Sequence, residues 1–167
     1  MRHKFKIIFI TFSSLFIVLL YFIIFNLNTK NINNKTIVKL PIILLTDIKN
    51  NLFSNNDIDQ KKSRLIINHF NPNCEHCQYM ACEFLKDSQK IKNVQILMIT
   101  SADSASVAKF NSDYKLSLLP NIFNLRDTNY QFQKIFGTGV VPSFFMYEQN
   151  KLVKKIIGET IIDNLIN

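Results

Sequence analysis

Two cysteines separated by two residues, Cys74 and Cys77, form the pattern in this sequence that most directly suggests chemistry. Residues three apart on a helix have Cβ atoms about 5–6 Å apart, so a small adjustment at a helix end brings two sulfurs within bonding distance. Such a pair opens and closes without moving other secondary structure. The spacing therefore predicts thiol–disulfide exchange with the thiols or disulfides of other proteins.

The sequence around the pair predicts a strand, a tight turn and then an amphipathic helix. Residues 64–70 are apolar and partly β-branched, the turn that follows contains Asn71 and Asn73, and apolar residues then recur at helical spacing. With either asparagine as the helix cap, Cys74 lies at the helix N-terminus, where backbone N–H groups and the helix dipole stabilise a thiolate. Cys74 is thus the predicted nucleophile, and Cys77, one turn deeper and more buried, the predicted resolving thiol.

The two residues between the cysteines are expected to modulate the reactivity of the pair in opposite directions. A protonated His76 favours the Cys74 thiolate, whereas the carboxylate of Glu75 disfavours it. Their balance sets the redox potential. The direction of electron flow, toward reduction of the partner or toward its oxidation and isomerisation, stays open at this point.

Other uses of the cysteines fit the pattern less well. A zinc site needs four ligands, and only Cys82, His69 and His76 lie near enough to complete one. Cys82 is turned away from Cys77 on a helix and is expected to be a small, semi-buried residue, and His69 is expected to be a strand residue that is satisfied within the fold rather than a ligand. No metal and no other cofactor is predicted. A structural disulfide and a partner- or metal-binding module without redox turnover remain the alternatives.

An uncharged apolar run near the start of the chain indicates the compartment. Residues 7–25 carry no charge and span about 28 Å as a helix, which is enough to cross a bilayer. A cleaved signal peptide is the alternative, but the run does not end in small residues. Because Arg2, Lys4 and Lys6 precede it, the positive-inside rule makes residues 1–6 a cytoplasmic basic flank and residues 7–25 a transmembrane signal anchor. The thiols are therefore expected on the extracytoplasmic (periplasmic) side of the cell membrane, where disulfides persist.

The rest of the chain reads as a tether followed by one domain. Residues 26–37 are polar and Asn-rich, without hydrophobic periodicity, which predicts a flexible tether, and residues 38–167 are the usual size of a single domain. The formal net charge of +8 comes from dispersed lysines, so no nucleic-acid binding is predicted. The expected partners are protein thiols or disulfides of the cell envelope and a membrane-associated electron donor or acceptor, with the oligomeric state left open.

Downstream of the cysteines, strand-like and helix-like segments alternate and end in a hairpin. This order predicts an α/β fold with a mixed central sheet flanked by helices. The predicted elements are a buried strand at 94–100, a helix at 103–112 with Ser101 or Asp103 near its cap, a short helix at 128–136 ending at Gly137, two hairpin strands at 143–148 and 152–157, and a short final helix.

Together these segments resemble the thioredoxin-like redoxin group of the bacterial envelope, which includes membrane-anchored thiol–disulfide oxidoreductases of the TlpA and ResA type. The resemblance covers about residues 40–158 and implies a thioredoxin-like fold. In this group the proline at the position of Pro142 is cis and packs beside the redox disulfide, and the preceding backbone pairs with an extended substrate segment. The resemblance therefore assigns Val141 and Pro142 to substrate binding. The segments that show the resemblance are residues 40–45, 65–70, 73–77, 94–100 and 139–143, an inserted segment at 118–136 and the hairpin.

The chain also departs from that group in ways that bear on the chemistry. Many relatives place a tryptophan before the first cysteine and a proline between the two, but this sequence has Asn73 and Glu75-His76 there and no tryptophan at all. Thioredoxins carry a buried acid six residues before the first cysteine, which helps the second one to deprotonate. Here Asn68 occupies that position, so Glu75 or a water has to substitute and the resolving step is expected to be slower.

Overall fold

The computed structural model describes residues 15–25 and 37–167, and this part of the chain contains seven strands and six α-helices. Residues 15–25 form helix α1. The strands are β1 (Leu44–Asp47), β2 (Leu52–Ser54), β3 (Arg64–His69), β4 (Val94–Thr100), β5 (Ile122–Arg126), β6 (Ser143–Glu148) and β7 (Lys151–Ile157). The other helices are α2 (Glu75–Lys86), α3 (Ser88–Ile91), α4 (Ser104–Asp113), α5 (Gln131–Phe136) and α6 (Asp163–Ile166).

Most of the predicted anchor and tether lies outside the described residues. Residues 7–14 of the anchor and 26–36 of the tether are not described. Within residues 15–25 and 37–167, no helix is both long enough and apolar enough to span a membrane.

The strands form one mixed sheet in the order β2-β1-β5-β4-β3-β6-β7. Strands β3, β4 and β5 are parallel, while β1 and β2 on one side and β6 and β7 on the other join in antiparallel pairs. The central strand β4 is buried along its whole length, as expected for a strand covered on both faces. The predicted α/β architecture with a mixed sheet flanked by helices is confirmed.

Alternate residues of the central strands feed two hydrophobic cores, one on each face of the sheet. On one face, Ile66 and Met98 pack with the buried residues of α2 and α4, including Phe84 and Phe110. On the other face, the core is formed by buried residues of the same strands and of α5. It includes Ile67, Leu97, Phe145, Phe132 and Phe136. Side chains cover both faces of β3, which lies next to the central strand β4, and the cysteine pair follows shortly after β3.

Several predicted elements match the structure closely. Strand 94–100, the hairpin and the final helix are present, and Asp103 caps α4 by accepting a hydrogen bond from the Ser106 backbone N–H at 2.9 Å. The hairpin turn is Gln149-Asn150, both with positive φ, which is the two-residue geometry that suits the twist of paired strands.

Other elements differ from the sequence-based expectation. Helix α5 begins at Gln131 rather than at residue 128, because Tyr130 adopts a left-handed conformation (φ 52°) and ends the preceding turn. Strand β5 lies inside the segment that the sequence indicated only as an insertion at 118–136. Ile37, placed at the end of the predicted tether, is buried, and its carbonyl accepts a hydrogen bond from the Tyr147 hydroxyl at 3.0 Å.

Candidate active site

The cysteine pair lies where β3 passes through a tight turn into α2. The Asn71 side-chain oxygen accepts a hydrogen bond from the Asn73 N–H at 2.9 Å, and the Asn71 carbonyl accepts one from the Cys74 N–H at 3.0 Å. Cys74 itself is the N-cap residue of α2, without a side-chain cap hydrogen bond. The prediction that Asn71 or Asn73 caps the helix is therefore wrong: the Asn71 side chain is used inside the turn instead.

Cys77 lies one turn into α2 and is buried, as the sequence predicted. Its Sγ accepts a hydrogen bond from the Asn71 backbone N–H at 3.5 Å. Burial raises the pKa of the Cys77 thiol to about 12; the Asn71 N–H opposes this rise, and the neighbouring Cys74 adds to it. At neutral pH Cys77 is thus a protonated thiol held behind Cys74.

Cys74 is half-buried and meets the segment that precedes β6. Its Sγ lies 3.8 Å from the Val141 carbonyl oxygen, although 67 residues separate the two in sequence. The Val141–Pro142 peptide bond is cis, and Pro142 is buried. The structure therefore brings Cys74 together with Val141 and Pro142, the residues that the resemblance assigned to substrate binding. Cys74, Cys77 and Cys82 are all free thiols.

The two residues between the cysteines both face solvent, but they differ in their contacts. His76 Nδ1 lies 2.7 Å from Glu159 Oε2, in the segment that follows β7. Sequence analysis missed Glu159, because no local pattern connects a residue beyond the hairpin with the cysteine motif. Glu75 is exposed in the first turn of α2, so its carboxylate does not share the buried environment of Cys77.

Asn68, at the position of the buried acid of thioredoxins, is itself buried, with 1% of its surface exposed. It pairs with Met98 and Phe144, so its side chain shares the face of the sheet that α2 covers. Its Oδ1 has no hydrogen-bond partner among the described residues. The pair is thus backed by a neutral amide where thioredoxins have a carboxyl group.

Two side chains differ from their predicted environments. Cys82 is exposed rather than semi-buried, because the buried face of α2 is formed by Cys77, Met80, Ala81 and Phe84, and Cys82 points away from it. The His69 ring stacks on the Phe132 ring at 4.2 Å, but its buried Nδ1 has no hydrogen-bond partner in the described part of the chain. His69 is thus a packed strand residue, as expected, but its Nδ1 is left without a hydrogen bond there.

The side chains around the cysteines are arranged for thiol chemistry. Across residues 15–25 and 37–167, no three His, Cys, Asp or Glu side chains converge in a way that could hold a metal ion. The arrangement consists of an accessible thiol, a buried thiol one turn away and a backbone carbonyl beside the first thiol. These are the parts that thiol–disulfide exchange needs.

A central mixed sheet with a Cys-x-x-Cys pair at the start of the helix after β3 defines a redox-type α/β domain, and comparison with known proteins gives its family. The sequence model of the thioredoxin family matches residues 44–138, more than half of the chain. The protein therefore belongs to the thioredoxin family. No curated protein matches it significantly in sequence.

Solved structures share the fold at low sequence identity. A secreted disulfide oxidoreductase of Mycobacterium tuberculosis, homologous to E. coli DsbE, is 19% identical with a TM-score of 0.58, covering 71% of this chain and 85% of its own. StoA from Bacillus subtilis is 16% identical with a TM-score of 0.58, covering 77% and 96%. A putative thioredoxin from Neisseria meningitidis is 24% identical with a TM-score of 0.58, covering 75% and 83%. At these identities the likeness establishes the thioredoxin-like fold.

Proposed function

We propose that this protein is a membrane-anchored thiol–disulfide oxidoreductase that exchanges the Cys74–Cys77 dithiol or disulfide with protein thiols outside the cytoplasm. The observation that carries the proposal is the position of Cys74. Its Sγ is half-buried beside the Val141 carbonyl, with the buried thiol of Cys77 one helical turn behind it. A binding module has no need for a second thiol placed to attack the first.

In the reducing direction, the Cys74 thiolate attacks one sulfur of a partner disulfide. The partner's S–S bond breaks, one partner thiolate leaves, and a mixed disulfide forms through Cys74. Cys77 then loses its proton and attacks Cys74 Sγ, which expels the second partner thiolate and leaves a Cys74–Cys77 disulfide. Two electrons pass to the partner. The same steps in reverse oxidise a partner dithiol.

The surroundings of the pair supply positioning and tuning. Val141, whose carbonyl lies beside Cys74 Sγ, and the adjacent Pro142 would bind the partner's extended backbone, as the family resemblance implies. The charges of Glu75 and His76 would modulate the reactivity of Cys74 in opposite directions. Burial raises the pKa of Cys77 to about 12, so Cys77 has to give up a proton before it can attack Cys74, and a base from the partner would speed that step.

The membrane anchor forms part of the same proposal and is supported by the sequence. Residues 7–25 form the anchor, with residues 1–6 cytoplasmic, and the tether 26–37 keeps residues 38–167 near the bilayer on the extracytoplasmic side. The partners would then be envelope proteins and a membrane-associated electron donor or acceptor. Protease added to spheroplasts should digest the domain and leave the N-terminal segment in the membrane, whereas protection of the domain would contradict this topology.

The activity is tested with the full-length protein in detergent micelles. Reduced protein should convert a disulfide-bonded reporter peptide to its dithiol, with loss of two alkylatable thiols per protein at Cys74 and Cys77. A Cys74→Ser variant should lose this activity, and Cys82→Ser should keep it. Binding of the peptide without any change in its thiols would instead support a binding module.

A further inference from the structure

A polar cavity of about 220 Å³ opens beside the candidate active site, on the side of Val141. Val141 takes part in both features, since its carbonyl contacts Cys74 Sγ and its residue also lines the cavity. A polypeptide lying across Val141 would therefore pass the mouth of the cavity. Four other residues that line it bear on what it could bind: His69, Asp127, Tyr130 and Phe132.

The cavity offers hydrogen-bond acceptors. His69 Nδ1 is buried and has no partner among the described residues. Burial lowers the pKa of His69, while a hydrogen bond to the Val140 backbone and the charge of Asp127 oppose this shift. In the neutral ring that a lowered pKa favours, one nitrogen accepts a hydrogen bond and the other donates one, and we assign the acceptor to the unpartnered Nδ1.

The cavity is also negatively charged. Among its lining residues Asp127 carries the only formal charge, and it is buried with 3% of its surface exposed. Its carboxylate is fixed because it accepts hydrogen bonds from the Gln131 N–H at 2.9 Å and the Phe132 N–H at 2.7 Å. The exposed ring of Tyr130 also lines the cavity, whereas the buried Phe132 ring is already stacked against His69 and Phe136. An exposed aromatic ring such as that of Tyr130 stacks well on a guanidinium group.

We propose that this cavity receives a hydrogen-bond-donating and preferably cationic side chain, Arg or Lys, from the substrate polypeptide, one or two residues from the cysteine that Cys74 attacks. The proposal rests on the proposed redox function and specifies its substrate class. The basic surface of the whole chain would by itself favour acidic substrates, but at physiological salt such long-range charge is screened beyond about 8 Å. A contact inside the cavity is not screened in this way.

The test uses full-length protein in detergent micelles and peptides that each carry one cysteine as a mixed disulfide with thionitrobenzoate. Attack of Cys74 on the peptide sulfur releases the coloured thiolate, so the rate reports the first step alone. The peptides differ at one position near the cysteine, which holds Arg, Gln or Glu. Arg should react about 10-fold faster than Glu at the favoured position, which corresponds to about 1.4 kcal/mol, with Gln in between.

Variants locate the origin of the preference. His69→Phe retains an aromatic ring against Phe132 but removes the acceptor, and Asp127→Asn removes the charge; each should reduce the ratio of the Arg rate to the Glu rate. That ratio does not depend on how much of a variant is folded. Asp103→Asn is the matched control, because Asp103 also caps a helix but lies outside the cavity, and it should keep the wild-type ratio.

Dithiobis-nitrobenzoate is a small disulfide without a side chain that could enter the cavity. Its reaction with Cys74 therefore tests the redox function separately from the subsite. If Cys74 reacts neither with it nor with the peptides, the proposed redox function fails. If Cys74 reacts with all of them but the wild-type protein treats Arg and Glu peptides equally, or the preference persists in both His69→Phe and Asp127→Asn, the subsite is refuted.

Discussion

His76 Nδ1 lies 2.7 Å from Glu159 Oε2, so the dipeptide between the cysteines is tied to the segment beyond the last strand. The contact holds the His76 ring in one position next to the cysteine pair. We expect Glu159 to be a positioning residue that acts on Cys74 through His76. The pair is largely exposed, with 67% and 49% of the two side chains accessible, so its effect is modest.

We expect Glu159→Gln to slow alkylation of Cys74 at neutral pH by about two- to fivefold, the size of an exposed ion pair. The measurement is the rate of reaction with iodoacetamide in the reduced protein. In a His76→Ala background the same substitution should leave the rate unchanged or slightly higher, because only the direct repulsion by the carboxylate is then removed. An equal loss in both backgrounds would contradict the coupling through His76.

Substitutions of the dipeptide itself should act in opposite directions. Glu75→Gln removes a negative charge beside the nucleophile, so it should increase the thiolate fraction of Cys74 and make the pair more oxidising. His76→Ala should decrease the thiolate fraction and make the pair more reducing. Equilibration of each variant with a glutathione redox buffer measures the potential. Shifts of the same sign in both variants would show that charge at these positions does not control the pair.

The fold could be predicted furthest where local pattern and burial agree. The run of residues 94–100 is a strand because it is apolar and enters the centre of the sheet. Strand β5 was missed because its five residues, Ile-Phe-Asn-Leu-Arg, mix apolar with polar side chains and show no strict alternation of the two. The start of α5 depends on the left-handed Tyr130 and on the buried carboxylate of Asp127, which only the tertiary structure places there.

The candidate site, too, could be predicted from the sequence only in part. The roles of Cys74 as nucleophile and Cys77 as resolving thiol could be predicted from their positions at the start of one helix. The position of Val141 and Pro142 near Cys74 could be predicted only from the family resemblance. The contact of His76 with Glu159 and the unpaired nitrogen of His69 depend on segments that are distant in sequence. No spacing rule joins such residues, so sequence analysis had no signal for them.

The buried amide of Asn68 should limit the resolving step. Asn68→Asp introduces a carboxyl group on the sheet face beneath α2, where it can accept the proton of Cys77, and it should speed resolution by about 10–100-fold. The cost is a loss of roughly 1–3 kcal/mol in the free energy of unfolding, because a buried acid replaces an amide. The two successive releases of thionitrobenzoate from dithiobis-nitrobenzoate report attack and resolution separately. Asn68→Leu, which adds no base, is the control and should not speed the second release.

The raised pKa of Cys77 also links stability to pH. Because the folded state holds the thiol protonated up to a pKa of about 12, against 9.0 for an unperturbed thiol, the contribution is fully present below pH 9 and is lost between pH 9 and 12. The dithiol protein should therefore lose stability relative to its Cys77→Ala variant as pH rises through this range. Urea unfolding of both proteins at several pH values measures the difference. A difference that stays constant or grows with pH would contradict the buried, protonated thiol.

The most direct test of the whole account asks which thiol captures partners. Full-length Cys77→Ala protein, expressed in cells and alkylated with acid quenching, should accumulate mixed disulfides through Cys74, because no resolving thiol releases them. Cys74→Ala should accumulate few, because Cys77 is buried and protonated. Adding Cys82→Ala to both variants excludes the exposed third cysteine as the source. Mixed disulfides confined to Cys74 would support the account, and equal trapping through Cys77 in the Cys74→Ala variant would contradict it.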